Sequence, residues 1–156
     1  MDLIDSLLEY DRWATTTLLD VCRGLSDVQL DQPFDIGHQT LRATFVHNIA
    51  TIEFWSGFMA GETEPLQDET PEGSFAGLAT RHERAHSAFA ALSRRLRDEG
   101  RLDDTYVDHY KVRKSMGGTI LTVVLHNVEH RTEALHILNR QGVPDLPEVD
   151  YGVGTI

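Results

Sequence analysis

The sequence predicts an all-α fold, an antiparallel four-helix bundle, on three observations. Four long segments repeat apolar residues at three- and four-residue steps, the spacing that lines one face of a helix. The connections between them are short and carry Gly or Pro. Helices joined by short connections pack as antiparallel neighbours. The 156 residues suit one domain, 1–156, with a sizeable core.

The first helix is expected from about Asp2 to Arg23, where Leu3, Leu7, Tyr10, Ala14, Leu18 and Val21 form the stripe and Gly24 is the stop. Ser26 to Gly37 reads as a connection containing Pro33, with room for a short helical turn. The second helix is expected from about Thr40 to Ala60, closed by Gly61. Leu41, Phe45, Val46, Ile49, Ile52, Phe54, Trp55, Phe58 and Met59 make it apolar almost all round, which is the pattern of a central helix. Glu62 to Gly73, acidic and holding Pro65 and Pro71, reads as a surface loop. The third helix is expected from about Phe75 to Asp98, on a stripe of Leu78, Ala85, Phe89, Leu92 and Leu96, with Gly100 ending it. Arg101 to Gly118 is read as irregular or as a short extended pair, because TYVDHYKVR alternates weakly. Gly117 and Gly118 are expected to break the chain before a fourth helix, Leu121 to Gly142, which Thr119 would cap. The tail after Pro144 is expected to be extended and to pack back or join a dimer contact.

Composition narrows the function classes. A content of 40 % apolar and 25 % charged residues is that of an ordinary soluble globular protein. The formal net charge of −11 argues against nucleic acid and against anionic membrane surfaces, both of which need basic patches. Arg94, Arg95 and Arg97, and the KVRK run from Lys111 to Lys114, are interrupted by acids and read as solvated faces. No apolar run approaches the roughly 20 residues of a membrane span. The N-terminus has acids where a signal peptide has a basic start, so a cytoplasmic location is expected. Cys22 is the lone cysteine, which excludes an internal disulfide, and its helical setting marks it as a small buried hydrophobe.

Histidines carry the chemistry. His126 and His130 lie four residues apart on one stripe with Thr119, Val123, Ala134 and Ile137, so two imidazoles interrupt an apolar face. His47 interrupts the second helix in the same way. Unpaired buried polar groups cost about 1–3 kcal/mol each, so such groups need partners. Three imidazoles from two helices can converge on one divalent metal and leave coordination positions open. Neutral imidazole suits zinc, nickel or iron. Glu133, at the edge of the stripe, is the candidate catalytic carboxylate, acting on a bound water or orienting His130. Asn127 stands where a zinc peptidase of HExxH type has its glutamate. His82-Glu83-Arg84-Ala85-His86 does match HExxH, but Arg81 and Arg84 are unhelpful to a cation and no third ligand is evident, so the match is read as coincidental. His38, His109 and His136 are read as surface or packing histidines.

Three pieces resemble the DinB-like family, bacterial four-helix-bundle proteins many of which bind a divalent metal. They are YDRWATTTLLD (Tyr10 to Asp20), LRATFVHNIATIEFWSGFMAG (Leu41 to Gly61) and LHNVEHRTEALHILNRQGVP (Leu125 to Pro144), with its His-x-x-x-His-Arg and Arg-x-Gly. The resemblance implies a bundle of DinB type, with the short extended or irregular segment between the third and fourth helices. It carries the family's metal ligands onto His47, His126 and His130. Where family members often have Gly-Gln after the His-Arg pair, this chain has Thr132-Glu133, which adds a carboxylate beside the site. The resemblance implies a thiol-dependent S-transferase or isomerase using the metal and a low-molecular-weight thiol on a small-molecule substrate, in a homodimer; the chemistry of a three-imidazole site with open positions also fits a hydrolase. Arg131 is a candidate for holding an anionic substrate. The alternatives are a non-catalytic metal- or ligand-binding protein of a stress response, and a purely structural dimeric bundle.

Overall fold

The computed structural model describes residues 2–70 and 74–153. Pro71 and Gly73 of the expected acidic loop, and 154–156 of the tail, lie outside them. The chain is mostly helical: α1 (Leu3–Cys22), α2 (Asp27–Leu30), α3 (Leu41–Ala60), α4 (Phe75–Asp98), β1 (Thr105–Val107), β2 (Arg113–Ser115) and α5 (Met116–Arg140). Each long helix begins at a residue whose side-chain oxygen accepts a backbone N–H one turn on: Asp2, Thr40, Ser74 and Ser115. Gly61 ends α3 at φ +95°, a conformation open to glycine at no steric cost. The short α2 carries a capping box between Ser26 and Gln29.

Helix α3 packs against α4 and α5, and α1 packs against α5 and α4. Of the 20 residues of α3, 14 are buried, as its all-round apolar sequence requires. Val149 brings the tail into the core, and Tyr151 meets Tyr10 edge-on at 5.5 Å between ring centroids. Burial pushes the Cys22 thiol up to about 12, so it is an inert packing group. Among the described residues, no helix is long and apolar enough to cross a membrane.

Two local expectations are corrected. Residues 105–115 form an antiparallel pair, Tyr106 opposite Lys114, and α5 then starts directly at Met116. Gly117 and Gly118 lie inside its first turn and do not break the chain. Gly117 donates its N–H to the Leu102 carbonyl at 2.8 Å, and Gly118 donates to the capping Ser115 hydroxyl at 3.1 Å. The glycines serve close approach of the preceding turn.

The second correction concerns α1. Tyr10, Ala14 and Leu18 of the expected stripe are buried, but Leu3 is exposed and the buried face also takes in Leu8, Asp11, Thr15, Leu19 and Cys22. Asp11 and Thr15 are buried because their partner is buried too. Arg131 of α5, 1 % exposed, donates through one terminal nitrogen to Asp11 Oδ1 at 2.5 Å and to Thr15 Oγ1 at 2.9 Å. Asn127 Nδ2 donates to Asp11 Oδ2 at 3.0 Å. His86 of α4 places Nε2 3.5 Å from the same oxygen, and His82 lies one turn before it. Burial opposes ionisation of Asp11, but His86 and Arg131 outweigh it and hold the carboxyl below its usual range.

Two predictions follow from this polar layer. Asp11→Ala should lower unfolding free energy in denaturant titration by about 3–5 kcal/mol, because the Arg131 charge stays buried without its counter-ion. A loss under about 1 kcal/mol would show that the pair is not buried in solution. His82 is driven down to about 4, by burial first and by neighbouring His86 second. The unfolded chain therefore binds a proton that the folded chain refuses, and stability should fall as pH drops from about 6.5 toward about 4. His82→Phe should reduce the pH dependence of Tm in that window, leaving the share contributed by His126, which burial also pushes down to about 4.

Candidate metal centre

Helix α3 supplies His47 and, one turn later, Thr51. Helix α5 supplies His126, His130 and Glu133. The loops entering α3 and α4 add His38 and Glu69. His47, His126 and His130 stand with ring centroids 5.0, 4.8 and 4.4 Å apart, so the residues singled out on two distant helices do meet. His38, read from sequence as a surface or packing residue, joins them. Its ring stacks on His47 at 3.8 Å and meets His130 edge-on at 5.0 Å. One ring nitrogen from each of His38, His47 and His130 lies within 4.8 Å of the others.

The hydrogen bonds around the rings set which nitrogen is free. His47 Nδ1 donates to Glu69 Oε1 at 2.8 Å, and His130 Nδ1 donates to Glu133 Oε2 at 2.6 Å. A carboxylate only accepts, so each bond places a proton on Nδ1, and in the neutral imidazole Nε2 is then the nitrogen with the lone pair. His47 Nε2 faces His126 Nε2 at 3.0 Å, and the Thr51 hydroxyl lies 3.3 Å from His126 Nε2. Zinc–imidazole bonds of about 2.0–2.1 Å set at the tetrahedral angle separate ligand nitrogens by about 3.3 Å. The observed facing pair is within a few tenths of an ångström of that. Imidazoles held from behind by carboxylates are the usual arrangement of histidine metal ligands.

Protonation state also suits a cation. Burial, followed by His130, His47 and His38, pushes His126 down to about 4, so it is neutral near pH 7. Burial, His47 and His130 together lower His38, against the opposing pull of Glu69 and Glu133.

The supporting shell reaches well beyond the rings. Arg81, a neighbour of the HExxH-like run, binds Glu53 of α3 at 2.6 Å and the Asp68 carbonyl at 2.6 Å. It thereby fixes the loop that carries Glu69 to His47. Gly37, at φ +46°, lies against Glu133, whose carboxylate occupies the space a Cβ would need. Sequence spacing gave no signal for Glu69, 22 residues from its partner. For His38 the signal was weak: a histidine beside a glycine at the entry to the central helix.

Two sequence alternatives look different in three dimensions. Glu83 of the HExxH-like run is turned outward to Arg12, with bonds of 3.0 and 3.2 Å, while His82 and His86 face the buried polar layer. Both oxygens of the nearby Asp11 are engaged by Arg131 and Asn127. Arg131, the candidate for an anionic substrate, is committed to Asp11 and Thr15 on a face of α5 about 100° around the helix from His130.

No match is found among curated proteins. Among solved structures the chain is similar to a DinB-like protein from Bacillus cereus ATCC 10987, at 21 % identity and a TM-score of 0.70, over 89 % of this chain and 92 % of that one. That likeness concerns the fold. The sequence matches the DinB family over residues 1–153. The family resemblance read from the three sequence pieces is thus borne out, and the chain belongs to the DinB family.

Proposed function

We propose that this chain is a divalent-cation-dependent enzyme in which His47, His126 and His130 hold the ion, acting on a small electrophilic substrate by thiol transfer or by hydrolysis. The observation that carries the reading is the pair of carboxylate-backed imidazoles, Glu69–His47 and Glu133–His130. A cation bound there supplies Lewis acidity, bringing a water or a low-molecular-weight thiol nearer to ionisation at neutral pH. The residues do the rest. Glu69 and Glu133 orient their rings and raise ligand basicity. Thr51 offers a hydroxyl beside His126. Glu133 reaches the site through His130 and is a positioning residue in this reading, with a carboxylate able to store a proton. Zinc, nickel and iron all suit the imidazole donors. The architecture that goes with the proposal is an antiparallel four-helix bundle, a homodimer located in the cytoplasm.

A cation-binding protein without catalysis is the second reading. The cavity beside His38 favours it, because its volume of about 140 Å³ is below the roughly 300–1,000 Å³ of most small-molecule sites.

Elemental analysis after zinc or nickel loading and dialysis should give one equivalent per chain. His47→Ala, His126→Ala and His130→Ala should each fall well below that, whereas His82→Ala should retain the metal. Equal metal content in all of them would remove the proposed site. Glu69→Gln and Glu133→Gln should weaken zinc affinity by about 10–100-fold in chelator competition. A screen of low-molecular-weight thiols with alkylating electrophiles then separates the two readings. Turnover that disappears in His126→Ala supports the enzyme, and a loaded protein inert with every pair supports the binding protein.

A further inference from the structure

Four histidines meet at this centre, and the proposed function uses three of them. The fourth, His38, comes from a different kind of structure. His47, His126 and His130 stand on long helices, while residues 31–40 form a largely exposed loop between α2 and α3. The loop is nevertheless shaped around its histidine. Gly37 and Gln39, on either side of it, both have positive φ, +46° and +70°. That conformation is ordinary for glycine and uncommon for glutamine, and such outliers persist where the surroundings impose them. The Thr40 N–H donates to the His38 carbonyl at 2.8 Å, which tightens the bend. The Gly37 backbone rests against the carboxylate that orients His130.

The loop is anchored by Phe34 and Ile36, which pack against the core, and by ion pairs at its edges. Arg140 reaches Asp35, but the two side chains are 49 % and 86 % exposed, a setting in which such pairs contribute little. Arg42 holds Asp31 at the loop's start. Of residues 35–39 only Ile36 packs against the hydrophobic core, and Gly37 and Gln39 are exposed, so little apolar packing opposes a movement of residues 37–39.

His38 also separates two spaces. On one side are the rings of His47 and His130. On the other is the cavity of about 140 Å³, bounded by His38, Thr40, Val46 and Glu69. None of His47, His126 and His130 lines that cavity.

We propose that His38 is a fourth, displaceable ligand that closes the cation site in the resting protein, and that a small thiol reaches the cation only when the 31–40 loop carries His38 away. This rests on the three-imidazole reading of the site. The loop thus acts as a gate whose bolt is itself a metal ligand. Binding of a thiol competes with His38, so its apparent affinity is reduced by the fraction of protein in the closed arrangement.

The test uses the full chain loaded with cobalt(II), whose visible absorption reports coordination number, and 2-mercaptoethanol as the thiol probe, read by its sulfur-to-cobalt absorption. His38→Ala should weaken the visible cobalt bands, release cobalt to a chelator faster, and bind 2-mercaptoethanol at least about 10-fold more tightly than wild type, as a closed-state population near 90 % requires. Gly37→Ala keeps the imidazole but drives a methyl group into the Glu133 carboxylate, so it should shift thiol affinity in the same direction. If His38→Ala and Gly37→Ala match wild type in spectrum, release and thiol affinity while His47→Ala loses cobalt, the gate is wrong and the three-imidazole site stands. If wild type itself retains no cobalt, both proposals fall.

Discussion

The buried pair of Asp11 and Arg131 governs how this protein presents its histidines. Both side chains are essentially without solvent, one on α1 and the other on α5. Taking two charges from water costs several kcal/mol per ion, and only close, saturated geometry offsets it. Here Asp11 receives Arg131 on one oxygen and Asn127 on the other. A rotation of α5 about its axis would break both bonds at once and strand two charges in an apolar interior.

That constraint acts on the metal centre because of helix geometry. Asn127 follows His126 and Arg131 follows His130, so each engaged residue is about 100° around the helix from an imidazole. Locking Asn127 and Arg131 toward α1 leaves His126 and His130 aimed at α3, where His47 waits. The same layer absorbs His82 and His86 on α4. The HExxH-like run is therefore part of the packing between helices, and its Glu83 serves a surface contact with Arg12.

The remaining parts of the centre are brought in by loops, and each loop is tied to a helix. Arg81 joins the 68–70 segment to Glu53, so Glu69 arrives behind His47. Gly37 lets the 31–40 segment close onto Glu133, so His38 arrives over the rings. The helices thus define where a cation could be held, and the loops define what stands behind and in front of that place.

Periodicity alone determined the four long helices, the depth of α3, and the shared face of His126 and His130, since 3.6-residue repetition is a local property of the chain. The apolar setting of His47 in the second helix added it to that pair, and the family resemblance pointed to the same three residues. Local pattern found Tyr10, Ala14 and Leu18 on the buried face of α1 but missed its polar part, because Asp11 and Thr15 look like surface residues until Arg131 is seen opposite them. It misjudged Gly117 and Gly118 as breakers, because their use lies in a contact with Leu102 from outside the helix. It also passed over His38, Glu69 and the role of Arg81. Those assignments belonged to tertiary structure alone: hydrogen bonds and ring contacts between residues far apart in sequence leave no periodic trace, and only folding sets their distances.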